Sequence, residues 1–487
     1  MALGAQEAAA AAARPVILWF RRDLRLDDHP ALQATLATGR PVIALFIHDE
    51  TCEGLGAAAR WRLGLSIAAL ARDLAAAGSA LILRRGPAFA VLSGLIAETG
   101  ATAVYWTRYY EPAHIARDTA VKSGLRAMGL IAESFPGALL FEPRTVQTGG
   151  GQPYSVFTPF WRAIRARDPG EPVGPPGRIP PPATLPASDD LADWRMGAAM
   201  GRGAAIVLPH QSPGGTAALA RLDRFLDERL AAYAVARDLP GCDGTSGLSE
   251  HLAWGEVSPR RIWRALMAAA ALRPGGERAA EKFLSELGWR EFAWHLMAHH
   301  PQMASAPWRE GWEAFAWRPD NPDAEAWRRS QTGEDFVDAG LREMYVTGRM
   351  HNRLRMVVAS YLTKHLLTDW RVGLAWFAEC LTDWDPAANA LGWQWVAGCG
   401  PDAAPYFRIF NPRLQAARFD PDGTYAGRFV GMNGNPALLE TAYHAAAPKS
   451  WGLTPGSRPA PLIAPEAGRA RALGAYQALR TQMERNR

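Results

Sequence analysis

The chain has 487 residues, 48% of them hydrophobic and 21% charged, with a formal charge of +5. That length calls for more than one hydrophobic core, and the mixture suits a water-soluble globular protein rather than a disordered or membrane-spanning one, since no apolar run approaches the roughly 20 residues of a bilayer helix. The four cysteines show no CxxC or CxxH spacing, which excludes a zinc-type or disulfide framework, leaves no metal to expect, and fits a reducing cytoplasm.

Residues 1–14 are alanine-rich, lack a basic leader, and read as a disordered tail. Between 15 and 135, apolar runs at 16–20, 42–47, 81–83 and 103–106 have strand length, while 57–77 and 88–99 carry apolar residues at helical spacing. Strand and helix in alternation predict a parallel sheet covered on both faces, a Rossmann-like α/β domain. No GxGxxG follows the first run, so a dinucleotide site of that kind is not indicated. The run leads instead into Phe20-Arg21-Arg22-Asp23-Leu24-Arg25-Leu26-Asp27-Asp28, with Pro30 placed to open a helix.

Residues 136–214 are rich in Pro and Gly and poor in periodic apolar signal, and read as a connector. From 215 to 487 the pattern turns all-α, with helices predicted at 219–236, 258–271, 279–298, 324–330, 341–367 and 373–381. Most of the 19 tryptophans lie in this half. Each indole N–H wants a partner, so such a number points beyond core filling to stacking or electron transfer.

Four strings in the helical half carry chemistry. Gly244-Thr245-Ser246-Gly247-Leu248-Ser249 offers hydroxyls and free N–H groups suited to phosphate oxygens, or alternatively an ordinary helix cap. In Ser285-Glu286-Leu287-Gly288-Trp289-Arg290, residues Glu286, Trp289 and Arg290 share one helical face. That face is either a surface Glu–Arg pair or a pocket wall able to grip a planar base. In Met350-His351-Asn352-Arg353-Leu354-Arg355-Met356, Asn352, Arg355 and Met356 share a face, and an inward Arg355 needs an anion; His351 reads as packed or exposed, not as a ligand. In Thr382-Asp383-Trp384-Asp385-Pro386, Asp385 is a natural N-cap before Pro386, which leaves Asp383 as the anion for Arg355. Trp393 and Trp395, two apart, must face different ways.

Together with Trp19-Phe20-Arg21-Arg22-Asp23, Val156-Phe157-Thr158-Pro159-Phe160, Ala388-Asn389-Ala390-Leu391-Gly392-Trp393-Gln394-Trp395 and Pro405-Tyr406-Phe407-Arg408-Ile409-Phe410-Asn411-Pro412, these strings resemble the DNA photolyase/cryptochrome family, in order from 15 to 422. The resemblance is to the bacterial branch that repairs cyclobutane pyrimidine dimers. It implies an α/β antenna-binding domain followed by an all-α domain that binds FAD and ultraviolet-damaged DNA. FAD would be held by Tyr233, Thr245, Ser246, Gly247, Leu248, Ser249 and Arg290, with Asn352, Arg355, Asp383, Trp384, Asp385 and Asn389 around the flavin ring. Trp317, Trp370 and Trp393 would carry electrons to it. Glu286, Asn352 and Asn389 would be the catalytic residues. Arg237, Glu286, Trp289, Arg290, Asn352, Arg353, Met356, Trp395, Arg408, Gln415 and Arg418 would face DNA and lesion, in a monomer.

Some positions depart from the family. Gly247 stands where Arg or Lys is usual, removing a phosphate-side contact. The stretch 333–339 lacks the usual Gly-aromatic-Pro, Arg349 replaces a frequent aromatic, Trp384 replaces a small residue, and Gly427-Arg428-Phe429-Val430-Gly431 replaces the usual Trp-Val-Pro-Glu-Leu. Glu111 matches a position that contacts a methenyltetrahydrofolate antenna in relatives, with a deazaflavin as the other chromophore to consider. Within the family the alternatives are a cryptochrome photoreceptor and a (6-4) photoproduct photolyase.

Overall fold

The computed structural model describes residues 14–272, 276–402, 407–431, 437–456 and 458–485. Strands β1 (Val16–Phe20), β2 (Val42–His48), β3 (Leu81–Arg85), β4 (Ala103–Thr107) and β5 (Ile131–Phe135) form one parallel sheet in the order β3-β2-β1-β4-β5. β1 and β2 are buried along their whole length, which is why they read as unbroken apolar runs. β5, with the sequence Ile-Ala-Glu-Ser-Phe, lies at the edge and is partly exposed, so it offered no run to detect. Helices α1 (Pro30–Ala37), α2 (Ala57–Ala76), α3 (Ala88–Thr99) and α4 (Pro112–Ala127) connect the strands; α4 was not foreseen.

The stretch read as a connector contains a helix, α5 (Phe157–Arg165), whose Phe157, Phe160, Trp161 and Ile164 are buried in the core of the helical half. That half is built from α6 (Gly215–Glu228), α7 (Pro259–Ala271), α8 (Gly276–His299), α9 (Asp335–Thr347), α10 (Asn352–Ser360), α11 (Trp370–Cys380), α12 (Pro386–Ala397), α13 (Pro412–Phe419) and α14 (Pro465–Arg485). Two expected helices are shorter than predicted. The one placed at 219–236 ends at Glu228 and gives way to short turns. The one placed at 341–367 is broken at Gly348, where φ is +75° and a Cβ would lie 2.5 Å from Thr382 Cγ2. Only glycine suits both that turn and that approach. The Pro405-Tyr406 pair and the tail proper, residues 1–13, fall outside the described residues.

The charged string after β1 is the joint between the halves. Arg22 donates to the carbonyls of Ala253 and Trp384, and Arg25 to that of Gly255. Asp27 pairs with Arg261, and Asp28 with Arg260 and the Ser258 hydroxyl. Arg62 and Glu256 close the joint with a fully buried bidentate pair at 2.8 and 2.9 Å. Through Arg22 the α/β half thus grips the loop that carries Asp383 and Asp385.

Candidate functional site

Helix α12 lies between α8 and α10 and is buried along most of its length. Yet Ala388 and Gly392 are exposed, Trp395 is half-buried, and a Cβ added to Gly392 would meet nothing within 4 Å. Positions 388, 392 and 395 share a face, so an otherwise buried helix keeps one side open.

Polar groups collect around that side. Asp385 caps α12, its Oδ1 accepting from the Ala388 N–H at 2.9 Å, with Pro386 in the first turn as expected. Its Oδ2 accepts from Trp294 Nε1 at 3.0 Å and lies 3.6 Å from Arg290 Nε. Asn389 is buried and donates through Nδ2 to the Asp385 carbonyl at 2.9 Å. Arg355 has found its anion: Nη2 reaches both oxygens of Asp383 at 2.9 and 2.7 Å, while Nε donates to the Met350 carbonyl. Asn352 is exposed at the start of α10. His351 is its N-cap, accepting from the Arg353 N–H through Nδ1, and burial pushes the imidazole pKa down to about 4. Of the two readings open from the sequence, packed or exposed, the structure gives a partly buried, packed histidine.

The Thr245–Ser249 loop does not cap its helix through a hydroxyl. The cap position falls on Leu248, without a side-chain bond. Ser246 accepts from the Leu248 N–H, and the hydroxyls of partly buried Thr245 and exposed Ser249 bond to no other described residue. Tyr233 packs against Phe225 and Phe283 nearby.

On α8, Glu286 does not pair with Arg290 along the helix. Its Oε1 takes Arg237 at 2.6 Å and Lys282 at 2.9 Å. Arg290 instead donates to the carbonyls of Ala138 and Leu252. Trp289 stacks one ring face on Phe157, with centroids 3.7 Å apart and planes at 10°, and stays partly exposed. Arg353 pairs with Asp238 at 2.7 Å and covers Phe419, whose ring also lies under Arg418. Arg408 lies over Trp395. Gln415 and the exposed Arg418 share α13.

Comparison with known proteins decides what these parts belong to. A family model described as DNA photolyase matches residues 16–181, and one described as the FAD binding domain of DNA photolyase matches 283–478. A deoxyribodipyrimidine photo-lyase of Agrobacterium fabrum is 44% identical, over 96% of this chain and 98% of its own. The chain belongs to the DNA photolyase family. A crystal structure of a bacterial class III photolyase from Agrobacterium tumefaciens superposes with a TM-score of 0.88 at 43% identity, covering 96% of this chain and 98% of that one. Cryptochrome-1 of Arabidopsis thaliana is 35% identical over 85% of this chain and 62% of its own length.

As a member of this family the chain carries an FAD-binding domain, and its residues fit that cofactor. It presents a buried amide at Asn389, an anchored Arg355–Asp383 pair, the Asp385 carboxylate at a helix start and a loop of hydroxyls at Thr245–Ser249. The three tryptophans expected to carry electrons lie on neighbouring elements. Trp317 and Trp370 flank the short ladder in which Arg318 N–H donates to Leu367 and Asp369 N–H to Arg318. Three residues beyond Trp370, Gly373 has no room for a Cβ, which would sit 2.0 Å from Trp393 Cη2. All three indole nitrogens are buried without a hydrogen-bond partner among the described residues. Sequence reasoning missed Trp327, which meets Trp393 edge-on at 6.3 Å, and Lys282, whose i,i+4 spacing to Glu286 was the available signal.

Glu111 stands at the start of α4 with Oε2 3.2 Å from His114 Nδ1. Tyr109 beside it meets Trp294 edge-on at 5.0 Å. Trp384, the bulky departure, packs against the cores of both halves.

Proposed function

We propose that the chain is a deoxyribodipyrimidine photo-lyase that repairs cyclobutane pyrimidine dimers in light. The open face of α12, bordered by Asn389, Asp385 and the Arg355–Asp383 pair and flanked by Trp289 and Trp395, carries this reading. The chemistry FAD supplies when bound is light-driven electron donation to the dimer and recovery of that electron. The chain's residues do the rest. Thr245, Ser246, Gly247, Leu248, Ser249, Tyr233 and Arg290 hold the phosphate and ribityl end. Asn352, Arg355, Asp383, Trp384, Asp385 and Asn389 surround the ring.

A dimer must leave the duplex to reach the ring. Extrusion costs a few kcal/mol, offset by stacking on Trp289 and Trp395 at about 1–3 kcal/mol per base. Met356 fills the remaining wall. Glu286 and Asn352 hydrogen-bond the lesion and stabilise the charge it acquires. Arg237, Arg353, Arg408, Gln415 and Arg418 meet the backbone, giving affinity that falls with salt. An unpaired buried N–H costs about 1–3 kcal/mol. Three such indoles in Trp317, Trp370 and Trp393 support a role in electron transfer that outweighs that loss. An antenna chromophore is placed beside Glu111. The protein acts as a monomer in the cytoplasm, a placement that its four unpaired cysteines support.

The test is an oligonucleotide carrying one defined lesion, incubated with enzyme in blue light or darkness. Loss of a cyclobutane dimer only in light is expected. Repair of a (6-4) product instead, or no repair with light-dependent binding to another protein, would replace this reading with one of its relatives.

A further inference from the structure

We propose that Arg221, on α6, supplies the cation for the FAD diphosphate that position 247 no longer provides; this rests on the FAD reading of the Thr245–Ser249 loop. Gly247 has φ +64°, and a Cβ built there would lie 2.6 Å from Arg221 Nη1. The guanidinium therefore occupies the volume in which a side chain of residue 247 would begin. The cation beside the loop therefore comes from the neighbouring helix.

Among the described residues Arg221 makes no hydrogen bond or ion pair, although it is partly buried. Burial and then the nearby Arg349 push its pKa down, with Glu250 opposing them. Glu250 is already committed, with Oε1 accepting from the Thr382 hydroxyl and Oε2 facing Arg349 at 3.7 Å. Arg224 adds to the repulsion, and Asp243, which also attracts Arg221, is taken by Arg229 at 2.7 Å, so both carboxylates near Arg221 are already committed. An excess cation withdrawn from water is costly until an anion joins it, and the unpaired Thr245 and Ser249 hydroxyls complete a donor set suited to a diphosphate.

The experiment follows FAD release from purified holoenzyme, read as the rise in free flavin fluorescence after dilution into buffers of increasing salt. Arg221→Met keeps the aliphatic stem and removes the charge; it should release FAD about 10- to 100-fold faster, the loss of one charge-assisted contact. Arg221→Lys should lie between it and the wild type. Gly247→Arg alone should not slow release, because the φ is unfavourable and Arg221 fills the space. Gly247→Arg combined with Arg221→Met should recover part of the retention. Arg221→Met releasing FAD at the wild-type rate, or Met and Lys variants releasing it equally fast, would overturn the inference. A wild-type protein that purifies without flavin would instead sink the reading beneath it.

Discussion

The two halves treat buried charge in opposite ways. In the α/β half the strand order reverses between β1 and β4, where folds of this kind usually open a ligand crevice at the carboxyl ends of the strands. Here charged side chains at that end pair with one another. Arg21 meets Asp118 at 2.6 Å, Arg117 meets Asp118 at 2.9 Å and Asp49 at 2.6 Å, and Trp106 Nε1 also donates to Asp118. Although burial pushes the Asp118 carboxyl upward, the two arginines hold it below its ordinary value. In the helical half, two hydroxyls, three indoles and Arg221 have no hydrogen-bond partner among the described residues. One region spends its charges on its own fold, and the other leaves polar groups unmet. The difference separates scaffold from site.

The largest effect on function should come from Trp393→Phe. Photoreduction of oxidised flavin, followed by absorbance under continuous light, is expected to be blocked, while repair by enzyme reduced beforehand survives. Equal loss of both would mean that Trp393 serves the fold or the lesion pocket instead. The largest effect on stability should come from the opposite half. Asp118→Ala strips a buried counter-charge from two arginines and is expected to cost about 3–5 kcal/mol in urea unfolding, with FAD content per folded molecule unchanged. Loss of flavin from folded protein would erase the contrast between the halves.

A smaller, pH-dependent effect sits where the two halves meet. Glu291 on α8 accepts from the Leu140 N–H at 2.9 Å, while its Oε1 has no hydrogen-bond partner among the described residues and lies 3.6 Å from Arg290 Nη1. Burial raises its carboxyl to about 7, against the pull of Arg290. Between the ordinary carboxylate range and pH 7, the folded chain keeps a proton that the unfolded chain releases, so Glu291 makes stability fall as pH rises through that window. Glu291→Gln removes the slope. Its advantage over wild type should be near zero at pH 4.5 and level off above pH 7 at no more than about 3 kcal/mol. A constant difference across that range would show that the carboxyl does not titrate there.

How legible all this was depends on the range of the interaction. Short buried strands, the Asp385-Pro386 helix start and the Arg355–Asp383 pair could be read because apolar runs and capping rules are local, and because an inward arginine demands an anion. β5 was missed because an edge strand with Glu133 and Ser134 has no apolar signature. The break at Gly348 was missed because the apolar phase runs on through it, and what forbids a side chain there is Thr382, distant in the chain. The carboxylate of Glu286 looked paired with Arg290, but Arg237, 49 residues away, takes it. Gly247 looked like a lost cation, and only packing revealed the arginine behind it.

The Glu286 ion pair yields the smallest and most discriminating prediction. With Arg237 and Lys282 both on its Oε1, the carboxylate competes with any backbone phosphate for Arg237. On undamaged DNA nothing else is offered to Glu286, so the pair stays closed and withholds one cation. A lesion base that hydrogen-bonds Glu286 frees Arg237 for phosphate at the same moment, and this coupling is necessarily reciprocal. Glu286→Gln should therefore bind undamaged duplex more tightly, with the slope of log K against log salt steeper by about 0.9, one phosphate contact, while discriminating less well in favour of dimer-containing DNA. Removing any negative charge near DNA raises affinity somewhat, so the control is Glu281→Gln, five residues earlier on α8 and paired with Arg165 at 3.0 Å. Equal gains for the two variants would reduce the effect to net charge. A gain confined to Glu286→Gln would mean that the site's unmet groups are guarded until the right substrate arrives.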